Sequence, residues 1–328
     1  MKGIFANRSA LFQASILACL FLTGLITAAV AGGIITYLST TPPEQPSADT
    51  FRLSFYNIHA LQFFSCTFSL LLPALITAYL CSSHPKKFLH IRRIKDVRIF
   101  MLTFLMLVFL SPAIDLTSYL NANIHLPEFM APVETLLREA EEQTSRLTES
   151  LLSEKGVIPF IVNIIVIAVM AGIAEEFIFR GAVLRIVGKK IKNPHVAIWI
   201  VAAIFSAIHF QFYGFIPRML LGAFLGYLLY WSKSIWPAIF AHFLNNAIIV
   251  TANYTGLSDS PIEFLPADKN MDGKDWITGI IIAATGLLLF SLCAKAMKKR
   301  CPAADENVTA SSCEVQNHDP DISHGQSH

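Results

Sequence analysis

The sequence predicts an all-α protein, a polytopic bundle of about eight transmembrane helices. Three observations predict it. Hydrophobic residues make up 54% of the 328-residue chain and charged residues only 15%, with a mean hydropathy of +0.54; a soluble domain carries roughly 25% charged residues. Eight stretches are apolar over about the 20 residues that a helix needs to cross a bilayer. Lys and Arg gather beside alternate ends of those stretches, as the positive-inside bias requires. The net charge of +2 is too small to point to nucleic acid, and the lipid bilayer is the partner that composition implies.

The first stretch, 11–38, is far longer than the 7–15-residue apolar core of a cleaved signal peptide, although Ala28 to Ala31 could pass for a cleavage site, and it is read as an uncleaved span. Spans 59–81 and 99–120 follow. Between Pro132 and Gly156, Val133, Leu136, Leu137, Ala140, Thr144, Leu147 and Leu151 recur at helical spacing. The other face carries Glu134, Glu139, Glu141, Glu142, Glu149 and Glu154 against Arg138 and Arg146. This predicts an extramembrane amphipathic helix over 132–154 that packs on the outer ends of the bundle, its acidity arguing against adhesion to anionic lipid. A solvated connector is the plain reading of this helix and a substrate gate the functional one.

The remaining spans are 157–179, 195–213, 215–231, 235–253 and 276–296, the sixth and seventh short and nearly contiguous. From Cys301 the tail is polar, lacks Lys and Arg and shows no apolar periodicity, which predicts disorder. Its His318, His324 and His328 are read as incidental. The chain thus divides into three N-terminal spans with the acidic helix (1–156), a core (157–253), a loop and last span (254–300) and a tail (301–328).

With the N-terminus inside, 18 of the 25 basic residues fall on inner segments, which places both termini in the cytoplasm. An integral protein of a bacterial plasma membrane is expected; the sequon at Asn253-Tyr254-Thr255 would matter only in a secretory pathway. Six scattered cysteines, with no CxxC or C…H…H spacing, predict neither a disulfide framework nor a structural zinc site.

The chemistry concentrates in three spans. Glu175, Glu176 and Arg180 end the fourth, and each ionised group at bilayer depth costs roughly 2.5–3.5 kcal/mol on insertion scales. They could be snorkelling at the end of the span, but Ala182 to Val187 continue the apolar pattern, which buries the glutamates about 15 Å deep. Glu176 and Arg180, at i and i+4, share a face, whereas Glu175 points about 100° away and is free to act as a base. The fifth span holds Phe205 and His209, the seventh His242 and Asn246 on one face, with Asn245 facing elsewhere. Polar groups inside membranes face the bundle interior and pair with one another, so one shared site is more economical than three separate exceptions. Counted from the inner starts of their spans, His242 and Asn246 lie about 10–17 Å deep, Glu175 about 15 Å and His209 about 21 Å. Tilt or a later start of the fifth span has to bring them level.

Such a set suits hydrolysis: a carboxylate and a histidine hold and deprotonate water, while a second histidine and an amide bind the oxyanion. No competing nucleophile stands out. Ser206 points about 60° away from His209 on the helix wheel, and neither GxSxG nor HExxH is present.

At these residues the chain resembles the CPBP intramembrane protease family, which includes the CAAX prenyl endopeptidases and bacterial bacteriocin-processing or immunity (Abi-like) proteins. Its EExxxR motif matches Glu175, Glu176 and Arg180, its FxxxH motif Phe205 and His209, and its HxxxN motif His242 and Asn246. Gly222, Gly226 and Trp236 also look like its pattern, over roughly 157–250. The resemblance implies a bundle enclosing an intramembrane catalytic cavity, with Glu175 and His209 activating water, His242 and Asn246 stabilising the oxyanion, and Glu176 and Arg180 in support. It leaves two options, zinc held by Glu175, His209 and His242, or catalysis without a cofactor; open-site zinc normally has three protein ligands, and the metal-free glutamate mechanism is preferred.

The function expected is therefore cleavage of a peptide bond in a membrane-associated protein or peptide. Nothing in the sequence indicates that the substrate is prenylated. An ion- or proton-coupled transporter is the alternative, since buried Glu, His and Asn also build ion pathways, but no internal repeat relates the two halves. A non-catalytic membrane scaffold or immunity protein is a third reading.

Overall fold

A computed structural model describes residues 2–39, 55–256 and 273–301. The disordered tail expected from 301 onward and its three histidines lie outside the described residues, apart from Cys301. The described chain is helical. α1 is Ala10–Ser39, α2 Phe55–Cys81, α3 Arg98–Ala122, α4 Ala131–Leu152 and α5 Val157–Lys190. α6 is Pro194–Ala207, α7 Phe215–Ser232, α8 Trp236–Thr255 and α9 Gly273–Arg300.

Among the described residues six helices (α1, α2, α3, α5, α7 and α9) are long and apolar enough to cross a membrane. Length and composition thus support six spans, against about eight expected. The fifth expected span, 195–213, stops at Ala207 after 14 residues, about 21 Å of helix against a hydrocarbon core of about 30 Å. The seventh is long enough, but His242, Asn245, Asn246 and Asn253 make α8 less apolar.

One end of the bundle is basic and holds both described ends of the chain. The backbone of Gly3 donates to Tyr79, Lys189 Nζ donates to the Ala6 carbonyl, and Arg300 pairs with Asp96 at 3.2 Å. Lys233 lies over the Tyr230 ring and Lys298 over Trp231, the mixture of aromatic and basic side chains expected at a membrane interface. α6 starts here on a built cap: the Asn193 side chain accepts from the backbone of His195 and Val196, and Pro194 occupies the first turn.

α4 lies at the opposite end, as expected. Leu137, Ala140, Thr144 and Leu151 of the expected apolar stripe are half-buried together with Glu134 and Glu141, while Leu136 and Leu147 are more than 60% exposed. The packed side is the expected one shifted toward these glutamates, whose carboxylates accept hydrogen bonds from Leu126, Gln211 and Tyr213.

Two packed cores meet at α8. One joins α1, α2, α5 and α6 through Leu17, Ala78, Phe177, Phe205 and Ile239; the other joins α3, α7, α8 and α9 through Met106, Leu225, Leu228, Ala241 and Met297. α6 and α7 are in close contact at Gly222 and Gly226. A Cβ at Gly226 would sit 2.8 Å from the Ile198 side chain and one at Gly222 3.1 Å from Phe205, the close approach that small residues permit between membrane helices.

The loop between α2 and α3 folds back into the bundle, burying Phe88 and Leu89. Gly181 of α5 faces Leu89 and Ile235, and the Ile235 N–H donates to the His90 carbonyl at 3.1 Å. α8 therefore begins beside Gly181, while α5 runs nine residues further, about 13 Å. Counted from Lys190, Glu175 lies about 22 Å in, level with His209 without a later start of the fifth span, and the deep start of α8 brings His242 to the same level.

His90 is half-buried in that loop between Arg185 and Lys233, and burial with these two cations pushes its pKa from 6.5 down to about 4. The unfolded chain takes up the proton near pH 6.5 and the folded state only near pH 4, so stability is whole above about pH 6.5 and falls as pH drops toward 4. Between about pH 8 and about pH 5 this group should remove about 2 kcal/mol of stability. Unfolding midpoints at the two pH values, with His90→Asn losing most of the difference, would verify it.

Candidate functional site

The site forms where α5, α6, α7 and α8 meet, around Glu176 and Arg180. Both side chains are almost fully buried, and Arg180 Nη1 donates to Glu176 Oε1 at 2.7 Å. A lone buried charge would be prohibitive, and a pair survives burial only when its remaining groups are also satisfied. Arg180 meets that demand: Nη2 donates to the Gly222 carbonyl at 2.9 Å, and its flat face lies 4.7 Å from the Phe205 ring centroid. The absence of a side chain at Gly222 lets α7 come close enough for this contact. The i, i+4 neutralisation expected within α5 is thus present, and it extends to two other helices.

Glu176 Oε1 also accepts from His242 Nδ1 at 2.8 Å. Because a carboxylate accepts, Nδ1 carries a proton, and Nε2 faces Glu175 Oε2 at 3.7 Å. That separation is too long for a direct hydrogen bond and suits a bridging group. The Glu175 side chain is 17% exposed, so the two adjacent carboxylates occupy different settings. Glu176 Oε2 is buried and has no protein partner.

His209 does not lie within a continuous helix. α6 ends at Ala207, and His209 stands on the turn that follows, its Nδ1 donating to the Phe205 carbonyl at 2.7 Å. Its Nε2 is thereby left as the lone-pair nitrogen. His209 is close enough to Glu175, Arg218 and His242 to feel their charges. Phe205, 2% exposed, is the hub: Phe179, His209, His242 and Arg180 all pack on it, with ring centroids 5.2, 5.1 and 6.0 Å away for the first three. Asn246, one turn beyond His242, donates to the Ile167 carbonyl of α5 at 3.1 Å, and Asn245 donates to Asn246.

The segment Ala171–Glu176 is regular α-helix between two π-helical stretches, Ile164–Met170 and Phe177–Val183. Such wide turns are frequent at functional sites because they re-aim side chains within a helix. Asn246 binds to the first stretch, and Arg180 comes from the second.

Sequence reasoning passed over three contributors. Phe205 entered only as the partner of His209. Arg218, which donates to Gln211, lies within reach of the charge on Glu175; a lone arginine in the first turn of an apolar span was the signal. Cys66, in the π turn of α2, packs on Ala171 and Ala174 and receives the Gln62 amide at 3.6 Å, a contact between distant segments that no local pattern reveals.

An apolar groove of about 380 Å³ runs along the seam of α3, α5 and α8, lined by Phe100, Val169, Ile173, Trp236, Ile239, Phe240 and Phe243. Ile173 and Phe243 in its lining stand two positions from Glu175 and one from His242 in the chain. For zinc, the donor chemistry is suitable, since Nε2 of both histidines is unblocked and each Nδ1 is held by an acceptor. Among the described residues no three His, Cys, Asp or Glu are grouped closely enough to share an ion.

Residues 157–248 match the family described as Type II CAAX prenyl endopeptidase Rce1-like. The match runs from α5 through most of α8, includes Glu175, Glu176, Arg180, Phe205, His209, His242 and Asn246, and leaves α1 to α4 and α9 outside. No curated protein and no solved structure matches the chain.

Removing one partner of the buried pair should be far worse than removing both. Arg180→Met is expected to destabilise the protein by about 3–5 kcal/mol, and Glu176→Gln/Arg180→Met to recover part of that loss. Unfolding midpoints in detergent for the single and double variants give the coupling directly.

Proposed function

We propose that the protein is an intramembrane endopeptidase that hydrolyses a peptide bond in a membrane-associated protein or peptide. One observation carries this reading: of two adjacent buried carboxylates, Glu176 is held by Arg180 and His242, whereas Glu175 faces an imidazole 3.7 Å away with no direct hydrogen bond to it. A carboxylate so placed is available to a water molecule.

In this mechanism Glu175 takes a proton from water while His209 Nε2 accepts the water's second hydrogen and orients it. The oxygen adds to the carbonyl carbon. His242, with a carboxylate facing each ring nitrogen, donates from Nε2 in its doubly protonated form, and Asn246 donates its second amide hydrogen, so that both bind the oxyanion. Glu175 then passes its proton to the leaving amine as the C–N bond breaks. Glu176 and Arg180 fix the His242 ring. The apolar groove beside Ile173 offers an approach for a substrate whose flanking segment lies in the bilayer. With the basic end inside, both termini are cytoplasmic, in keeping with a bacterial plasma membrane.

Purified protein incubated with candidate peptides tests this. Glu175→Gln and His209→Ala should each reduce kcat about 10²–10⁴-fold, and Asn246→Ala about 10²–10³-fold, with unfolding midpoints near that of the native protein. Cleavage retained in both Glu175→Gln and His209→Ala would remove the assigned catalytic pair. In the same assay, thorough chelation should leave the rate unchanged; a loss restored by added zinc would instead assign Glu175, His209 and His242 as its ligands.

A further inference from the structure

We propose that Glu141, on the extramembrane helix α4, is a positioning residue: it holds the 208–214 turn and thereby sets where His209 stands relative to Glu175. The proposal rests on the proteolytic reading of the site.

The turn that carries His209 needs holding. α6 ends at Ala207, and Phe210 has φ 54°, a left-handed conformation that is rare for a bulky residue and persists only where its surroundings over-determine it. The bond from His209 Nδ1 to Phe205 fixes the ring to the end of α6, but the backbone beyond has no helix to support it.

Its supports come from elsewhere. Asn121 of α3 donates its amide to the Phe212 carbonyl at 2.8 Å and accepts from the Ile216 N–H at 3.3 Å. The turn's own backbone bonds, from His209 to Ser206, Phe210 to Ala207 and Phe215 to Phe212, leave Gln211 and Tyr213 to Glu141. Its Oε1 accepts from the Gln211 side chain at 3.0 Å and its Oε2 from the Tyr213 N–H at 3.2 Å, while Arg138, one turn earlier on α4, covers the Tyr213 ring at 4.4 Å. Glu134 and Glu142 are engaged mainly with neighbours in their own segment. Glu141 instead reaches across to another part of the chain and is half-buried, whereas Glu139, Glu142 and Glu149 are exposed.

A polar path continues inward from this anchor. Gln211 Oε1 accepts from Arg218, and Arg218 is close enough to Glu141, Glu175 and His209 to interact with all three charges or dipoles. Releasing Glu141 frees the amide of Gln211, loosens the grip on Arg218 and leaves the turn to its own backbone bonds, to Asn121 and to Ser206, whose hydroxyl donates to the Phe215 carbonyl. His209 would then sample positions away from the water that it orients. This is a role for α4 distinct from both a solvated connector and a substrate gate.

The test uses the full chain in detergent and compares Glu141→Ala with Glu139→Ala, an exposed control on the same helix. Hydrogen exchange over 208–214, read by mass spectrometry, should accelerate about 10- to 100-fold in Glu141→Ala, the loss expected for hydrogen bonds to a charged acceptor, and should not change in Glu139→Ala. With a cleaved peptide as probe, kcat should fall about 10- to 100-fold while KM stays within about twofold, as for a misplaced catalytic group.

The exchange Glu141→Gln/Gln211→Glu is the rescue. The amide placed at 141 donates to the carboxylate placed at 211, still accepts from Tyr213, and leaves Arg218 its acceptor, so kcat should return toward the native value from the low level of Glu141→Gln alone. Unchanged exchange in Glu141→Ala, an equal effect of Glu139→Ala, or accelerated exchange with native kcat would each overturn the proposal. If the native protein cleaves none of the peptides, the proteolytic reading fails, and exchange in the single and swapped variants still decides whether Glu141 holds the turn.

Discussion

The ion pair of Glu176 and Arg180 is the constraint on which the rest of the site depends. Both side chains are withdrawn from water, and such burial is tolerated only where the charges are paired and most of their remaining donors and lone pairs find partners; Glu176 Oε2 has none in the protein. That requirement draws in the Gly222 carbonyl, the Phe205 face and His242 Nδ1, which belong to three other helices. The pair therefore does more than neutralise two charges. It dictates which faces of α6, α7 and α8 point at α5, and it leaves Glu175, the adjacent carboxylate, as the less committed of the two.

Packing that brings these helices together is local and specific. Gly222 and Gly226 let α7 approach α6, and the buried loop around Leu89 lifts the start of α8 to the level of Gly181. The first sets the separation of two helices and the second the depth of a third. α6 stops at Ala207, and His209 follows on a turn with a left-handed Phe210 that needs outside support. That support comes from α3 and α4, which lie outside the family match at 157–248, so the matched segment does not complete its own site.

Much of this was legible from local pattern. Composition and the lengths of the apolar runs indicated a membrane bundle, because lipid tolerates only backbones that satisfy their own hydrogen bonds. Spacing at i, i+4 paired Glu176 with Arg180 and separated Glu175 from them, since helical geometry sets side-chain direction without help from the fold. The acidic helix lies at the expected end with Leu137, Ala140, Thr144 and Leu151 of its stripe half-buried, but the packed side is shifted so that Leu136 and Leu147 are exposed and Glu141 faces the chain beneath. Hydrophobic periodicity reports an amphipathic surface, and it cannot say which surface a particular neighbour will cover.

What the sequence determined by itself is the class of fold, the helices that carry ionisable groups and the pairing within each helix, all consequences of backbone geometry and of the cost of charge in lipid. Only the tertiary structure decided that His242 rather than His209 is the imidazole bonded to Glu176, that Arg218 and Phe205 belong to the site, and that Glu141 anchors the turn bearing His209. Those contacts join residues tens of positions apart. They depend on where helices start, stop and approach one another, which is settled by packing and by the pairing of buried charge across helices, not by the period of any one segment.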